Sequence, residues 1–466
     1  MSTQFTLELT TKPHKLQGTY REKLKALLSG ELDFHNQSSN YKSHNFHAFP
    51  AKFPPQLPRL FINELTNPDS IVLDPMAGSG TTVLEALLAH RTGIGFDIDP
   101  LAIRITSAKI TPLSVTDVVT TGDDILIRAR YALDNNKPEL QSQIVTRWDE
   151  KTKNFVDYWF ARETQLELIA LILEIEKIPN PLLRAFFELV FSAIIVTKSG
   201  GVSLALDLAH TRPHRAKRVV TKSGRIIIEE ESVSEKRKAV LTKILRPAFD
   251  EFEKRYKNNL DGLVIFTPET ILSKVLFGNA EKLPLADDSI DLIVTSPPYA
   301  SNAIDYMRAH KFSLVWMGYP IENLGGKRKE YIGGEVTANI SFEPLPLYTN
   351  RILGEITKID KKKSLVVRRY YSEMARVLRE MYRVLKPGKA SVVVVGNSVI
   401  RGVDTQTQNC LADIGQTIGF EIPKIGVRNL DRNRRMMPAS MKANFHSQIQ
   451  QRMHKEYVIG FYKPMT

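Results

Sequence analysis

Cysteine is all but missing from this chain: Cys410 is the single one among 466 residues. A lone thiol closes no internal disulfide and builds no cysteine-based zinc cluster, which suits a reducing cytoplasm. Long apolar runs are scarce too. The most hydrophobic stretch, LLRAFFELVFSAIIVT (182–197), is short and contains Arg184 and Glu188, so it reads as a buried helix and not as a membrane span. The opening MSTQFTLELT lacks the basic and apolar regions of an export signal, and the expectation is a cytoplasmic protein. No set of metal ligands is visible; His210 and His214 read as polar surface residues. Acids are the minority charge, 51 against 64 Lys and Arg, for a formal net charge of +13. That excess favours a polyanionic partner, nucleic acid foremost.

What is present is a globular chain, 42% hydrophobic and 25% charged, enough apolar material for a large core. Residues 1–43 are polar and mixed and read as a peripheral arm. FHAFPAKFPPQLPRLFINEL (46–65) is proline-rich and then opens an amphipathic helix. From Ser70 an α/β rhythm begins: SIVLD as a strand, PMAGSG as a Gly-rich turn, TTVLEALLAH at helical spacing, GIGFDID as a second strand. Strand, turn, helix, strand is a βαβ unit and implies a parallel sheet. Residues 115–265 break this rhythm with three helical stretches, 162–178, 180–201 and 234–256, and read as a mostly helical insertion. The α/β pattern resumes in VLFGNAEKLPLADDSIDLIVTSPPY (275–299), then a helix (370–385) stopped by KPGK, a strand ASVVVVGN (390–397) and a last strand KEYVIGFYK (455–463). Residues 320–365 show no pattern. The expected layout is an arm (1–43), a first part of an α/β domain (44–114), the insertion (115–265) and the second part (266–466).

The turn DPMAGSGTT (74–82) invites a ligand. Gly78 and Gly80 permit a sharp turn and a close backbone approach, and the following helix offers free N–H groups. A phosphate loop needs Lys where Thr81 stands; a dinucleotide fingerprint needs a third glycine where Val83 stands. Asp74 would repel a pyrophosphate but suits a cation such as an ammonium or sulfonium. Asp97 ends the next strand, where an acid can hold ribose hydroxyls. One acid for an amino-acid moiety and one for a ribose suggest S-adenosylmethionine. The bland alternative is a glycine turn that permits tight packing, with Asp74 as a cap. Downstream, TSPPY (295–299) ends a buried strand on two prolines, which stop the ladder and fix Ser296 and Tyr299 in direction.

In this order, DPMAGSGTT, GFDIDP, GNAEKLP and TSPPY resemble the motifs of amino-group DNA methyltransferases, and FHAFPAKFPPQL resembles the cofactor-capping motif just upstream in some of their classes. The resemblance covers roughly 44–110 and 275–400; the motifs are specific as a set. It implies a class I S-adenosylmethionine-dependent methyltransferase fold, a Rossmann-like α/β sheet. It implies that Asp74, Met76, Gly78, Gly80, Thr81 and Thr82 line the methionine side of the cofactor. Asp97 and Ile98 would meet the ribose, Asn279 and Ala280 the adenine, while Phe49 and Lys52 would close the pocket. Ser296, Pro297, Pro298 and Tyr299 would form the catalytic turn on a base flipped from duplex DNA. Ser at its first position is typical of N4-cytosine enzymes, and Asp or Asn of N6-adenine enzymes. Methylation of cytosine at carbon 5 would need a cysteine nucleophile, and Cys410, in TQNCLADIG, reads instead as a core-facing helix residue.

Two basic stretches are candidates for DNA contact: 208–225, with Arg212, Arg215, Lys217 and Arg218, and 424–442, with Arg432, Arg434 and Arg435. Each has solvated basic loops as its plain alternative. A cognate restriction endonuclease is the partner the resemblance implies. An RNA guanine methyltransferase is disfavoured by Ser296 and the short arm; a silent DNA-binding subunit is disfavoured by the intact motif set.

Overall fold

The computed structural model describes residues 16–50, 52–208, 213–231, 234–264, 273–300, 305–327, 329–337, 340–430 and 454–465. The chain opens with α1 (Tyr20–Ser29) and α2 (Gln56–Leu65), followed by β1 (Ile71–Asp74), α3 (Thr81–Leu88), β2 (Thr92–Asp97) and α4 (Pro100–Ile110). Helices α5 (Val115–Asn135), α6 (Lys137–Thr146), α7 (Glu150–Trp159), α8 (Arg162–Glu176) and α9 (Pro181–Ile195) follow. Short elements come next: β3 (Ala205–Asp207), β4 (His214–Arg215), β5 (Arg218–Val220), β6 (Ile226–Glu229), α10 (Glu235–Val240), β7 (Thr242–Ile244) and α11 (Ala248–Asn259). The second α/β part holds β8 (Lys274–Phe277), β9 (Ile290–Thr295), α12 (Met307–Leu314), α13 (Ile321–Lys327), α14 (Leu347–Ile359), α15 (Lys361–Val384) and β10 (Leu385–Gly396). It closes with β11 (Val399–Ile400), β12 (Val403–Asp404), α16 (Thr407–Ile418), β13 (Ile425–Asn429) and β14 (Lys455–Tyr462).

Seven strands form the central sheet in the order β8-β2-β1-β9-β10-β14-β13. β8, β2, β1, β9 and β10 pair in parallel, and β14 lies antiparallel between β10 and β13. Along the strands neighbours alternate faces, as a pleat requires. Val72, Leu292, Val294, Val392 and Val394 pack under α1, α2 and α3, while Leu73, Ile293, Val393 and Val395 pack under α14, α15 and α16. This is the two-faced, Rossmann-like sheet expected from the sequence. From β1 the chain builds outward through β2 and β8, then returns to lay β9 on the other side of β1. The crevice at the carboxyl ends of β1 and β9 is therefore the topological switch point, where such sheets bind ligands.

Three expectations need correction. Within the expected peripheral arm, residues 20–29 dock on the body: Leu24, Leu27 and Leu28 recur at helical spacing and are buried against the sheet. A capping box between Thr19 and Glu22 starts that helix. The stretch 180–201 leaves the helix after Ile195, and Gly200 and Gly201 turn with φ of 71° and 50°. The stretch 234–256 is not one helix. Thr242–Ile244, with two β-branched residues, pairs with β5, and Pro247 restarts the chain as α11. Helices α5–α9 and α11 share a core with α12, centred on the fully buried Trp316, so this region is packed against the α/β body. No helix among the described residues is long and apolar enough to cross a membrane.

Candidate active site

The strand ends bring the motif residues to one edge. At the end of β1 the buried Asp74 accepts a hydrogen bond from the Thr295 hydroxyl at 2.7 Å and one from the Met76 N–H at 3.2 Å. Burial pushes its carboxyl up to about 6, against those hydrogen bonds. The turn then runs through Gly78 and Gly80 at φ 50° and 74°, conformations that cost other residues strain. A Cβ on Gly80 would sit 2.5 Å from the Thr106 methyl. Gly80→Ala is accordingly expected to destabilise the fold by about 1–3 kcal/mol through strain and overpacking, read as a lowered denaturation midpoint. Thr81 starts α3, its hydroxyl 3.4 Å from that of Ser79. The Thr82 hydroxyl donates to the Val294 carbonyl at 3.0 Å. That bond ties α3 to β9.

Asp97, at the end of β2, accepts from the Gly78 N–H and the Asp99 N–H, each at 2.8 Å. Burial and the neighbouring Asp99 carboxylate push it up to about 7. Asp99 itself caps α4 and accepts from His310 Nδ1 at 2.7 Å and from the Tyr331 hydroxyl at 2.9 Å. Phe49 stacks on Tyr306, ring centres 4.9 Å apart, and leans on His310 at 5.4 Å. Its ring is 3.3 Å from where a Gly78 Cβ would be, so Phe49 does cover the glycine turn. The Lys52 ammonium donates to the His44 carbonyl at 3.0 Å. The buried Lys109 holds the turn from behind, donating to the Ser79 carbonyl at 2.8 Å. Ile98 is half-buried. β8 delivers Asn279 and the buried Ala280 beside Asp97, for the Gly278 N–H donates to the Asp97 carbonyl at 3.1 Å. The Asn279 side chain accepts from the Glu281 N–H at 2.9 Å.

The sequence reading missed Tyr306, His310, Tyr331 and Lys109. Only Asp99 left a signal, as a helix cap before Pro100; the others lie far along the chain and carry no local motif.

β9 ends at Thr295, and Ser296, Pro297, Pro298 and Tyr299 follow as an irregular turn. The Tyr299 hydroxyl donates to Glu456 Oε1 at 2.8 Å. Burial and the Glu456 carboxylate push the phenol well up. Glu456 is also ion-paired with Arg428 across β13 and β14. Cys410 is a buried α16 residue. Among the described residues no cluster of His, Cys, Asp or Glu could hold a metal ion.

The candidate DNA contacts fare unevenly. Lys217 pairs with Glu230 at 2.8 Å, Arg215 approaches Glu230 at 3.7 Å, and Arg218 approaches Glu229 at 3.7 Å. Arg215 also lies over the Tyr158 ring at 4.8 Å. The basic run is therefore partly neutralised by acids that β6 brings back beside it. Arg212, Arg432, Arg434 and Arg435 lie outside the described residues.

The chain is similar to known DNA methyltransferases. The N6/N4 methyltransferase family model, described as DNA methylase, matches residues 11–108. The type II methyltransferase M.MvaI of Kocuria varians is 24% identical over 400 residues, covering 82% of this chain and 83% of that protein. M.AvaI of Nostoc is 24% identical over 76% of this chain and 74% of its own length. M.PvuII of Proteus hauseri is 38% identical over 85 residues, 17% of this chain and 25% of that protein. Among solved structures, a SAM-dependent methyltransferase from Methanosarcina mazei aligns at TM-score 0.29 and 10% identity, covering 87% of this chain and 98% of that one.

Proposed function

We propose that this chain is an amino-group DNA methyltransferase, a reading its similarity to the DNA methylase family model and to type II methyltransferases supports, and that it transfers a methyl group from S-adenosylmethionine to the N4 amine of cytosine in duplex DNA. The observation that carries this reading is the hydrogen bond from Thr295 to Asp74 at 2.7 Å, which holds the Ser-Pro-Pro-Tyr turn against the glycine turn at the switch point. The donor set fits the cofactor: one buried carboxylate for a cation, a second for a diol, and a glycine turn between them. The cofactor supplies an electrophilic methyl group on a sulfonium.

The target amine is a poor nucleophile because its lone pair is delocalised into the ring. Ser296 Oγ and a backbone carbonyl of the turn accept its N–H bonds and draw the nitrogen toward tetrahedral geometry. That frees the lone pair for in-line attack, a gain of positioning and electrostatics. Pro297 and Pro298 keep the carbonyl fixed, and Tyr299 offers its ring to the flipped base. Ser at position 296 supports cytosine over adenine. The test is sequencing of DNA from a host expressing the chain, read for base type and context: N4-methylcytosine at one motif is expected, and N6-methyladenine would reassign the base.

The region 115–265, between the cofactor motifs and the catalytic turn, is proposed to read the DNA site, and a cognate endonuclease to share it. Replacing Arg215, Lys217 and Arg218 with Ala should flatten the dependence of log affinity on log salt by about one unit for each phosphate no longer neutralised. Because Glu229 and Glu230 already compete for these cations, a change below about three units is expected in a gel-shift salt titration. An unchanged slope would move recognition to another surface.

A further inference from the structure

We infer that Tyr331, held in place by Arg369 and Glu373 of α15, is a positioning residue for the cofactor: with His310 it fixes Asp99, and Asp99 fixes the ribose carboxylate of Asp97. The inference rests on the proposed cofactor site and draws on residues 329–337, a stretch without sequence pattern. Irregular backbone must satisfy its polar groups outside a ladder. Here a buried ion pair does so. Arg369 and Glu373, one helical turn apart, are 2% and 5% exposed, and Arg369 Nε meets Glu373 Oε1 at 2.6 Å. The Arg369 guanidinium donates to the carbonyls of Lys329 at 2.8 Å, Tyr331 at 3.3 Å and Val336. Glu373 Oε2 accepts the Gly333 N–H at 2.7 Å. A Cβ on Gly334 would lie 2.9 Å from Arg369 Nη1, so the backbone rests directly on the guanidinium. Each charge meets both its counterion and the loop backbone, which offsets the cost of burying it.

That anchorage delivers the Tyr331 hydroxyl to Asp99. Asp99 Oδ1 caps α4 through the N–H groups of Leu101 and Ala102, which is all that a helix start asks of it. Its Oδ2 takes two further donors, the Tyr331 hydroxyl at 2.9 Å and His310 Nδ1 at 2.7 Å, from 232 and 211 residues away. The plain alternative is that they only satisfy a buried carboxylate. Two contacts point to the cofactor instead. The Asp99 N–H donates to Asp97 Oδ1 at 2.8 Å, while the Gly78 N–H holds Asp97 Oδ2 at 2.8 Å. A shift of Asp99 therefore moves the carboxylate that meets the ribose in the proposed site. His310 also leans on Phe49 at 5.4 Å, the ring that covers the glycine turn. Asp99 thus ties the ribose acid, the aromatic cap and residues 329–337 together. A diol needs such rigidity. Two hydroxyls meet one carboxylate only in a narrow range of orientations, and a carboxylate already fixed loses little freedom on binding.

Tyr331→Phe keeps the ring and the Arg369 anchorage and removes only the hydroxyl. Calorimetry on the full-length chain should show S-adenosylmethionine bound about three- to ten-fold more weakly, the loss of one hydrogen bond to a charged group that acts at one remove. The single-turnover methyl-transfer rate at saturating cofactor should stay within about two-fold of wild type, a split that a merely destabilised protein would not show. In the Asp97→Ala background, Tyr331→Phe should cost nothing further, because the carboxylate it positions is gone. Wild-type affinity in a folded Tyr331→Phe variant would overturn the inference, as would an equal loss with and without the Asp97 carboxylate. If Asp97→Ala alone left affinity unchanged, the proposed cofactor site would fail and this inference with it. A loss in Asp97→Ala with none in Tyr331→Phe would overturn the positioning role alone.

Discussion

Ser296→Ala is expected to slow methyl transfer by roughly ten- to a thousand-fold, the cost of removing one polarising acceptor from a transition state. The fold should survive, because Ser296 is half-buried in an irregular turn and not part of the core. The anchor of that turn is the neighbouring Thr295 hydroxyl on Asp74, which the substitution leaves in place. Cofactor affinity should therefore stay near wild type while single-turnover rates collapse. A variant that transferred methyl at the wild-type rate would assign the chemistry to the backbone of Pro297 and Pro298 alone. Tyr299→Ala should differ in kind. It removes a stacking surface worth about 1–3 kcal/mol to a base, so base capture falls together with turnover.

Asp97→Ala should weaken S-adenosylmethionine binding by about 1–3 kcal/mol, a loss of roughly five- to 150-fold. The same carboxylate braces the turn through the Gly78 N–H, so part of the loss comes from a less ordered loop. A pH series separates the two contributions. Burial foremost pushes the Asp97 carboxyl up to about 7 and that of Asp74 up to about 6. A ribose diol donating to Asp97, and a cation beside Asp74, favour the charged carboxylates. Binding then expels protons, so affinity should fall as pH drops through 7 and then 6, and level off at higher pH. In Asp97→Ala the upper step should vanish and the lower one remain. Calorimetry across pH 5 to 8 tests this; equal affinity in a folded Asp97→Ala variant would remove the ribose assignment.

Much of this was legible in the sequence because its causes are local. Short apolar runs bounded by turn residues wrote β1, β2, β9 and β10. Gly78 and Gly80 stand where the backbone needs positive φ, and a strand, a glycine turn and a helix specify a parallel unit whatever surrounds them. Asp74 and Asp97 were placed at strand ends for the same reason. What the sequence could not express depends on which strands become neighbours and in what register. Thr295 meets Asp74 across 221 residues only because the chain returns β9 to the side of β1. Glu456 reaches Tyr299, and Arg428 reaches Glu456, only because β13 and β14 pair as they do. The basic run at 215–218 read as free charge until β6 brought Glu229 and Glu230 back beside it. Residues 20–29 looked peripheral because their polar face dominates the composition, whereas three leucines on the other face were enough to dock them. Local conformational preference thus set the cofactor turn, and long-range strand pairing decided what holds the catalytic turn.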